Sequence, residues 1–131
     1  MAEIYKSIYN DKHYVISIAL SNIAGVLQER GDYAKAEALF REAIGRYDGL
    51  LAADHQLVGI ARVRLGRVLR LQRKFAEGEK ETIAAYTILM KQSTPPVLWV
   101  QRARSDLAMD YDSLGRPEDA KRVRADSVAM K

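Results

Sequence analysis

A period of 42 residues constrains this 131-residue chain more than any other feature of its sequence. When the chain is aligned with itself at that spacing, small residues coincide with small ones and apolar residues with apolar ones, without a gap. The clearest sets are Ala19, Ala61 and Ala103; Ile23, Leu65 and Leu107; and Ala24, Gly66 and Ala108. Repeats of about 20–50 residues are typical of solenoids, in which each unit buries its apolar face against its neighbours.

Each unit contains two segments with the apolar spacing of an amphipathic helix. In the first unit, one segment ends at Gly31-Asp32, where glycine is a typical C-terminal helix stop, and the second begins at Tyr33. Pro95-Pro96 and Pro117 mark later helix starts, because proline cannot continue a helix but fits its first turn. The pattern predicts six helices and a short helical stub before residue 11: 12–30, 33–50, 55–72, 75–92, 97–114 and 117–130.

Small residues recur where the two helices of one unit would meet. We expect Ala24 to meet Ala36 in the first hairpin, and Gly66 to meet Gly78 in the second. Glycine weakens a helix by about 1 kcal/mol relative to alanine, so two glycines at equivalent places indicate an especially close helix contact. The fold class predicted from these patterns is all-α, built from about three antiparallel helix pairs.

Residues 19–24 and 31–37 resemble the tetratricopeptide repeat, in the 42-residue form typified by kinesin light chain. Residues 101–120 are similar to the last repeat of arrays attached to some bacterial serine/threonine kinases. The resemblance implies a right-handed superhelical array whose first helices line a concave, peptide-binding groove. It divides the chain into the tail of a preceding repeat (1–11), repeat one (12–53), repeat two (54–95) and a C-terminal capping repeat (96–131).

The two ends of the chain carry different expectations. Tyr5, Ile8 and His13 align with Tyr47, Leu50 and His55, so residues 1–11 read as the end of a helix whose own partner is missing. Apolar residues of the N-terminal edge would then lack a cover, and we expect self-association through this edge. The last helix is rich in charged residues and reads as a polar cap.

No set of residues in the sequence has the types and spacing of a catalytic site, and we expect no enzyme activity, cofactor or metal. Cysteine is absent, the glycines form no phosphate-binding loop, and His13 and His55 lie one repeat apart, where they read as loop-to-helix junctions. Basic residues exceed acidic ones mainly within 54–95, eight against four, which is narrower than a nucleic-acid-binding surface. No apolar run approaches the length of a membrane span. We expect neither nucleic acid nor membrane as a partner, and a cytoplasmic protein.

Arginine is the feature that points to a binding site, because Arg64, Arg67 and Arg70 recur every three residues along one helix. A guanidinium group can pair with a carboxylate through two parallel hydrogen bonds, so an acidic segment is a reasonable ligand. Among the groove positions that the resemblance implies, the predicted peptide-binding residues are Asn22, Gln28, Arg64, Arg67, Arg70, Arg102, Asp106 and Met109.

The alternative is that these charges pair internally, since Arg64 and Arg70 align with Asp106 and Asp112 of the next unit. Two functions therefore stay open at this point: a scaffold that binds a peptide or protein partner, and a structural spacer or oligomerisation segment of a larger protein. A binding module is expected to keep Asn22 and Arg67 exposed and unpaired, whereas a spacer would tie them up.

Overall fold

The computed structural model describes the backbone of residues 2–48 and 50–129 and the side chains of residues 15–48 and 50–125. Six helices account for it: α1 (Ala2–Glu29), α2 (Tyr33–Tyr47), α3 (Gln56–Leu71), α4 (Phe75–Met90), α5 (Val97–Ser113) and α6 (Pro117–Ala129). Within these residues there is no strand, only an isolated bridge between Asp48 and Leu51. None of these helices combines the length and the hydropathy that crossing a membrane requires. The predicted all-α fold is confirmed.

The start of the chain differs from the prediction. A break was expected near residue 11, but α1 runs without interruption from Ala2 to Glu29. Residues 5–14 contain neither glycine nor proline, so nothing in that segment stops a helix. Residues 2–11 therefore extend the first helix, and His13 lies within it rather than at a junction. The side chains of Tyr5 and Tyr9 lie outside the described residues, and the assignment of 1–11 to a preceding repeat stays a prediction.

The three turns within the hairpins repeat at the 42-residue spacing. Gly31, Arg73 and Gly115 each adopt a left-handed backbone, with φ of 87°, 66° and 73°. In each turn the next residue donates its N–H to the carbonyl four positions before the left-handed residue: Asp32 to Leu27, Lys74 to Leu69 and Arg116 to Tyr111. This hydrogen bond is the mark of the Schellman motif, which satisfies the last carbonyls of a helix. One turn geometry thus closes all three hairpins.

The helices of the second hairpin touch through their backbones. A Cβ atom added to Gly78 would lie 3.2 Å from the carbonyl oxygen of Gly66, and one added to Gly66 would collide with Oγ1 of Thr82. In the first hairpin, Ala24 and Ala36 are both fully buried in the same apolar cluster. The predicted burial of all four small residues is confirmed.

Three apolar clusters of the described residues join helices of two successive repeats, and a fourth lies within the last hairpin, between α5 and α6. Phe40 of α2 packs in one cluster with Leu65 and Leu69 of α3, and Leu89 of α4 packs in another with Val100 of α5. The first helices contact one another along the series α1, α3 and α5. In the described part of the chain no close backbone contact joins α2 to α4 or α4 to α6, and α2 reaches α4 through a side-chain ion pair between Arg41 and Glu77 at 3.6 Å. The array therefore curves toward its first helices, which form the inner layer.

Ion pairs between neighbouring repeats follow the same period. Glu37 of α2 accepts a hydrogen bond from Nζ of Lys74 at 3.1 Å, and Glu79 of α4 accepts one from Nη1 of Arg116 at 2.7 Å. Burial raises the pKa of Glu37, but hydrogen bonds from Gln72, Arg41 and Lys74 outweigh it and hold that pKa at about 2. An acidic residue near the start of α2 and of α4 thus holds the turn of the next hairpin.

The connection before α3 is capped by a histidine. His55 precedes the helix, and its Nδ1 accepts a hydrogen bond from the N–H of Leu57 at 3.1 Å. This bond satisfies one of the backbone donors that every helix leaves free at its N-terminus. The predicted junction role is confirmed for His55.

The close contact in the second hairpin can be tested with Gly66→Ala. Alanine favours a helix, but its Cβ has no space against Thr82 and Gly78, so we expect the free energy of unfolding to fall by roughly 1–3 kcal/mol. The matched control is Gly45→Ala in α2, where no atom lies within 4 Å of the new Cβ and stability should rise by up to about 1 kcal/mol. Urea unfolding measures both, and a stabilised Gly66→Ala protein would contradict the contact.

The left-handed turn at Arg73 can be tested with Arg73→Gly. A side chain in this conformation costs about 1–2 kcal/mol, which glycine avoids, and the loss of the Arg73 contact with the Phe75 ring at 5.8 Å offsets only part of the gain. We expect thermal unfolding to show a net stabilisation of about 0.5–1 kcal/mol. Gly115→Ala in the equivalent turn should shift stability in the opposite direction, and an unchanged Gly115→Ala protein would contradict this account.

Candidate functional site

The inner layer holds a cleft of about 250 Å³, here named the arginine cleft. Its walls come from all three first helices, because α3 lies between α1 and α5 and contacts both. Eight residues line it: Gly25, Gln28 and Glu29 of α1, Val63, Arg64 and Arg67 of α3, and Trp99 and Arg102 of α5. Four of the predicted site residues, Gln28, Arg64, Arg67 and Arg102, thus come together there.

Arg64 occupies the centre of the arginine cleft. Its guanidinium lies over the ring of Phe40, 5.2 Å from the centroid, and passes directly above Gly25, where a Cβ would fall 2.5 Å from Nη2. Burial lowers the pKa of Arg64, as does the charge of Arg102, whereas Tyr47 raises it. No carboxylate among the described residues forms an ion pair with Arg64. Among the described residues, its positive charge therefore has no ion-pair partner in the cleft, although Glu29 also lines the cleft.

The neighbouring arginines, Arg67 and Arg70, have an internal partner in Asp106. Nε and Nη2 of Arg67 donate to the two carboxylate oxygens at 3.2 Å each, and Nη2 of Arg70 donates to Oδ1 at 3.3 Å. Asp106 is only 2% exposed, and a carboxylate so buried would cost several kcal/mol without partners. Arg67 is therefore paired, which is what was expected of a spacer rather than of a binding module. Arg70 pairs internally, as the alternative foresaw, but with Asp106 instead of Asp112.

The register of this pairing differs from the one that the 42-residue alignment suggested. The paired residues are separated by 39 and 36 positions, which is one and two helical turns short of the repeat. Adjacent first helices are therefore offset along their axes. For this reason Arg64 has no contact with Asp106, and Asp112 pairs instead with Arg124 of α6 at 2.6 Å.

Trp99 is a cleft residue that the sequence reasoning missed. The guanidinium of Arg102 lies over its ring, 4.8 Å from the centroid, so the two form one wall of the arginine cleft. Such stacking fixes the position of a flexible cation and adds about 0.5–1 kcal/mol at exposed sites. The repeat alignment carried the signal, because Val15, Leu57 and Trp99 are equivalent positions and all are apolar.

The other predicted site residues lie in two adjoining clefts or behind them. Asn22 lies in an N-terminal cleft of about 100 Å³ that also includes Arg64 and the apolar side chains of Ile18, Leu57 and Ile60. Arg70 and Met109 lie in a C-terminal cleft with Phe75 and Asp112. Asn22 is exposed, as expected, whereas Asp106 is buried beneath the arginines and faces none of the three clefts.

The chemistry available to this surface is recognition of an anion. The arginine cleft presents planar guanidinium donors whose geometry matches a carboxylate, beside an indole ring and the amide of Gln28. In the part of the chain whose side chains are described, no group of three histidine, aspartate or glutamate residues is arranged to hold a metal ion.

A family model matches part of the chain. Residues 15–80, about half of the chain, match a family model described as the tetratricopeptide repeat. No curated protein matches the chain. The matched segment contains residues 15–29 of α1, all of α2 and α3, and the start of α4, and hence two walls of the arginine cleft.

Proposed function

The chain belongs to the tetratricopeptide repeat family, and we propose that its arginine cleft binds an acidic segment of a peptide or protein partner. Repeats of this family generally act as non-catalytic scaffolds for protein–protein interaction. The common spacing of the three hairpin turns supports the 42-residue form of the repeat. The link to arrays attached to bacterial serine/threonine kinases, and a cytoplasmic location, stay predictions.

The observation that carries this proposal is that Arg64 and Arg102 lie in one cleft, where the lining carboxylate of Glu29 forms no ion pair with either. Both guanidinium groups lie against aromatic rings, Phe40 and Trp99, and neither has a carboxylate partner among the described residues. Two like charges held together cost free energy, and their repulsion contributes to the lowered pKa of Arg64. A carboxylate from a partner would relieve this repulsion and accept charge-assisted hydrogen bonds from both side chains.

Arg67 and Arg70 have a different part in the proposal. Both are paired with Asp106, which neutralises part of their charge. These ion pairs join α3 to α5. Arg67 still lines the arginine cleft, and a guanidinium has five N–H donors, of which Asp106 uses two. The acidic ligand would thus depend mainly on Arg64 and Arg102, with Arg67 as a secondary donor.

Binding can be measured by fluorescence anisotropy with synthetic peptides that carry Asp/Glu clusters, each paired with a version in which Asn/Gln replace the carboxylates. We expect only the acidic peptides to bind, with affinity that falls as salt rises. Arg64→Ala should weaken binding by about 10- to 100-fold, the range that a charge-assisted hydrogen bond of about 1.5–3 kcal/mol implies. Gly25→Ala should also weaken it, because the new Cβ displaces the guanidinium while the net charge stays the same.

The matched control is Lys91→Ala, which removes an exposed positive charge outside the three clefts. We expect it to leave the affinity of acidic peptides within about twofold of the original at moderate salt, where distant charges are screened. Equal loss in Lys91→Ala and Arg64→Ala would indicate attraction by net charge alone. Undiminished binding by both Arg64→Ala and Gly25→Ala would contradict the assignment of the cleft.

A second candidate function, oligomerisation, is favoured by the outer face of α1, defined as Val15, Ala19, Ile23 and Val26. Ile23 is 52% exposed and Val26 is 49% exposed, whereas the equivalent Leu65 and Val68 of α3 are buried under α2. The same positions that form the interface between repeats are thus uncovered in α1. A partly apolar face of this kind favours association, and we propose self-association of the chain through it.

Sedimentation at tens of micromolar tests this second candidate. We expect the chain to form dimers or larger species. The Ile23→Asp/Val26→Asp double variant should be monomeric, because association would bury two aspartates that have no partners in the interface. Leu98→Asp is the control, since Leu98 is a comparably exposed apolar residue at the start of α5. A chain that sediments as a monomer before any substitution would exclude this candidate.

A further inference from the structure

A carboxylate lies where the repeat pattern calls for a core valine. Asp110 of α5 is equivalent to Val26 and Val68 of the two preceding repeats. It is 0% exposed, and neither of its carboxylate oxygens has a hydrogen-bond partner. Its Oδ1 would lie 3.5 Å from a Cβ at Gly78, so the group is pressed against the backbone of α4 beside the Gly66–Gly78 contact. A buried ionised carboxylate without partners is among the costliest arrangements in a protein.

Three charged groups face Asp110, one from each helix of this junction. They are Arg70 of α3, Glu79 of α4 and Asp106 of α5, one helical turn away. Burial is the main cause that raises the pKa of Asp110, to about 7, and the charges of Asp106 and Glu79 raise it further while Arg70 lowers it. Asp106 takes the hydrogen bonds of Arg67 and Arg70, so the nearby positive charge is already engaged.

Arg70 has a buried donor without a partner. Its Nη2 binds Asp106, but its Nε is buried and has no hydrogen-bond partner. Oγ1 of Thr82, which lies against Gly66 at the same junction, is also buried and unpartnered. The junction thus contains an unpartnered donor on Arg70 and two unpartnered acceptor oxygens on Asp110.

We propose that Asp106 and Asp110 compete for Arg70 and that a proton on Asp110 decides the outcome. With the proton bound, Asp110 is neutral, Arg70 stays on Asp106, and the arrangement is the one described above. When the proton leaves to solvent, the new negative charge attracts Arg70, whose Nε then donates to Asp110 while Asp106 keeps the two bonds from Arg67. Arg70 lines the C-terminal cleft with Met109 and Asp112, so its movement alters that cleft.

The sign of the effect on stability follows from proton binding. An unfolded aspartate titrates near its ordinary pKa of 3.8, whereas the folded protein holds the proton up to about 7. Between these values the folded state binds more protons than the unfolded state, so stability falls as the pH rises. Above the folded pKa, the ionised carboxylate of Asp110 lowers the stability of the folded state by a constant amount. A hydrogen bond from Arg70 makes that amount smaller.

The test uses the intact chain and carbon- and nitrogen-detected NMR titration of the Asp110 carboxyl and the Arg70 Nε–Hε group. We expect the carboxyl to titrate near pH 7 and the Arg70 signal to shift with the same midpoint. Asp110→Asn keeps the side chain neutral, so the Arg70 signal should stay constant over this range. Asp112→Asn removes an exposed carboxylate from the same helix, which pairs with Arg124, and should leave the Arg70 titration unchanged.

The Asp110→Val variant gives a second test, which does not require that an asparagine side chain fits at position 110. Because valine occupies the equivalent place in both other repeats, this variant should raise the midpoint of thermal unfolding at pH 8 and remove its decline between pH 5 and pH 8. An Asp110 carboxyl that titrates near pH 4, or an Arg70 signal that shifts equally in Asp110→Asn, would overturn the proposal. So would an Asp110→Val protein that retains the same decline.

Discussion

The approach of two helix backbones at small residues is the constraint on which this structure depends. Gly66 and Gly78 bring α3 and α4 so close that a single methyl group would not fit between them. The left-handed residue at each hairpin turn makes the approach possible by returning the chain tightly. Glycine costs helix stability at both positions, about 1 kcal/mol each relative to alanine, and close packing of the flanking apolar side chains offsets that cost.

This close pairing decides where the charges lie. Since successive hairpins share their apolar clusters, the first helices pack side by side, and Asp106 is enclosed between α3 and α5. A carboxylate there is tolerated because two guanidinium groups donate three hydrogen bonds to it. The same arrangement leaves Arg64 and Arg102 without carboxylate partners in the described residues. Under the proposed function, internal pairing and ligand recognition are thus assigned to neighbouring arginines one turn apart.

The three repeats share one hairpin geometry, but equivalent positions of their first helices differ in burial and in residue type. Positions that α2 and α4 bury in the second and third repeats are open in α1, where Ile23 and Val26 face solvent. The third repeat departs in another way, because Asp110 replaces a valine in a site that stays fully buried. One deviation leaves an apolar surface uncovered, and the other places a titratable group inside the array. Both proposals beyond groove binding follow from these departures from the repeat.

The sequence alone determined the period, the six helices, the hairpin turns and the burial of Ala24, Ala36, Gly66 and Gly78, because each is set by local spacing and by residue size. It also identified Arg64 as a candidate from the recurrence of arginine every three residues along one helix, and the family resemblance added Arg102 as a groove position. Only the tertiary structure decided which charges meet. The offset between adjacent first helices moves each pair by one or two turns from the repeat alignment, so Asp106 receives Arg67 and Arg70 rather than Arg64. Side-chain pairing depends on that offset and on burial, and neither quantity is encoded in the spacing of residues along a single helix.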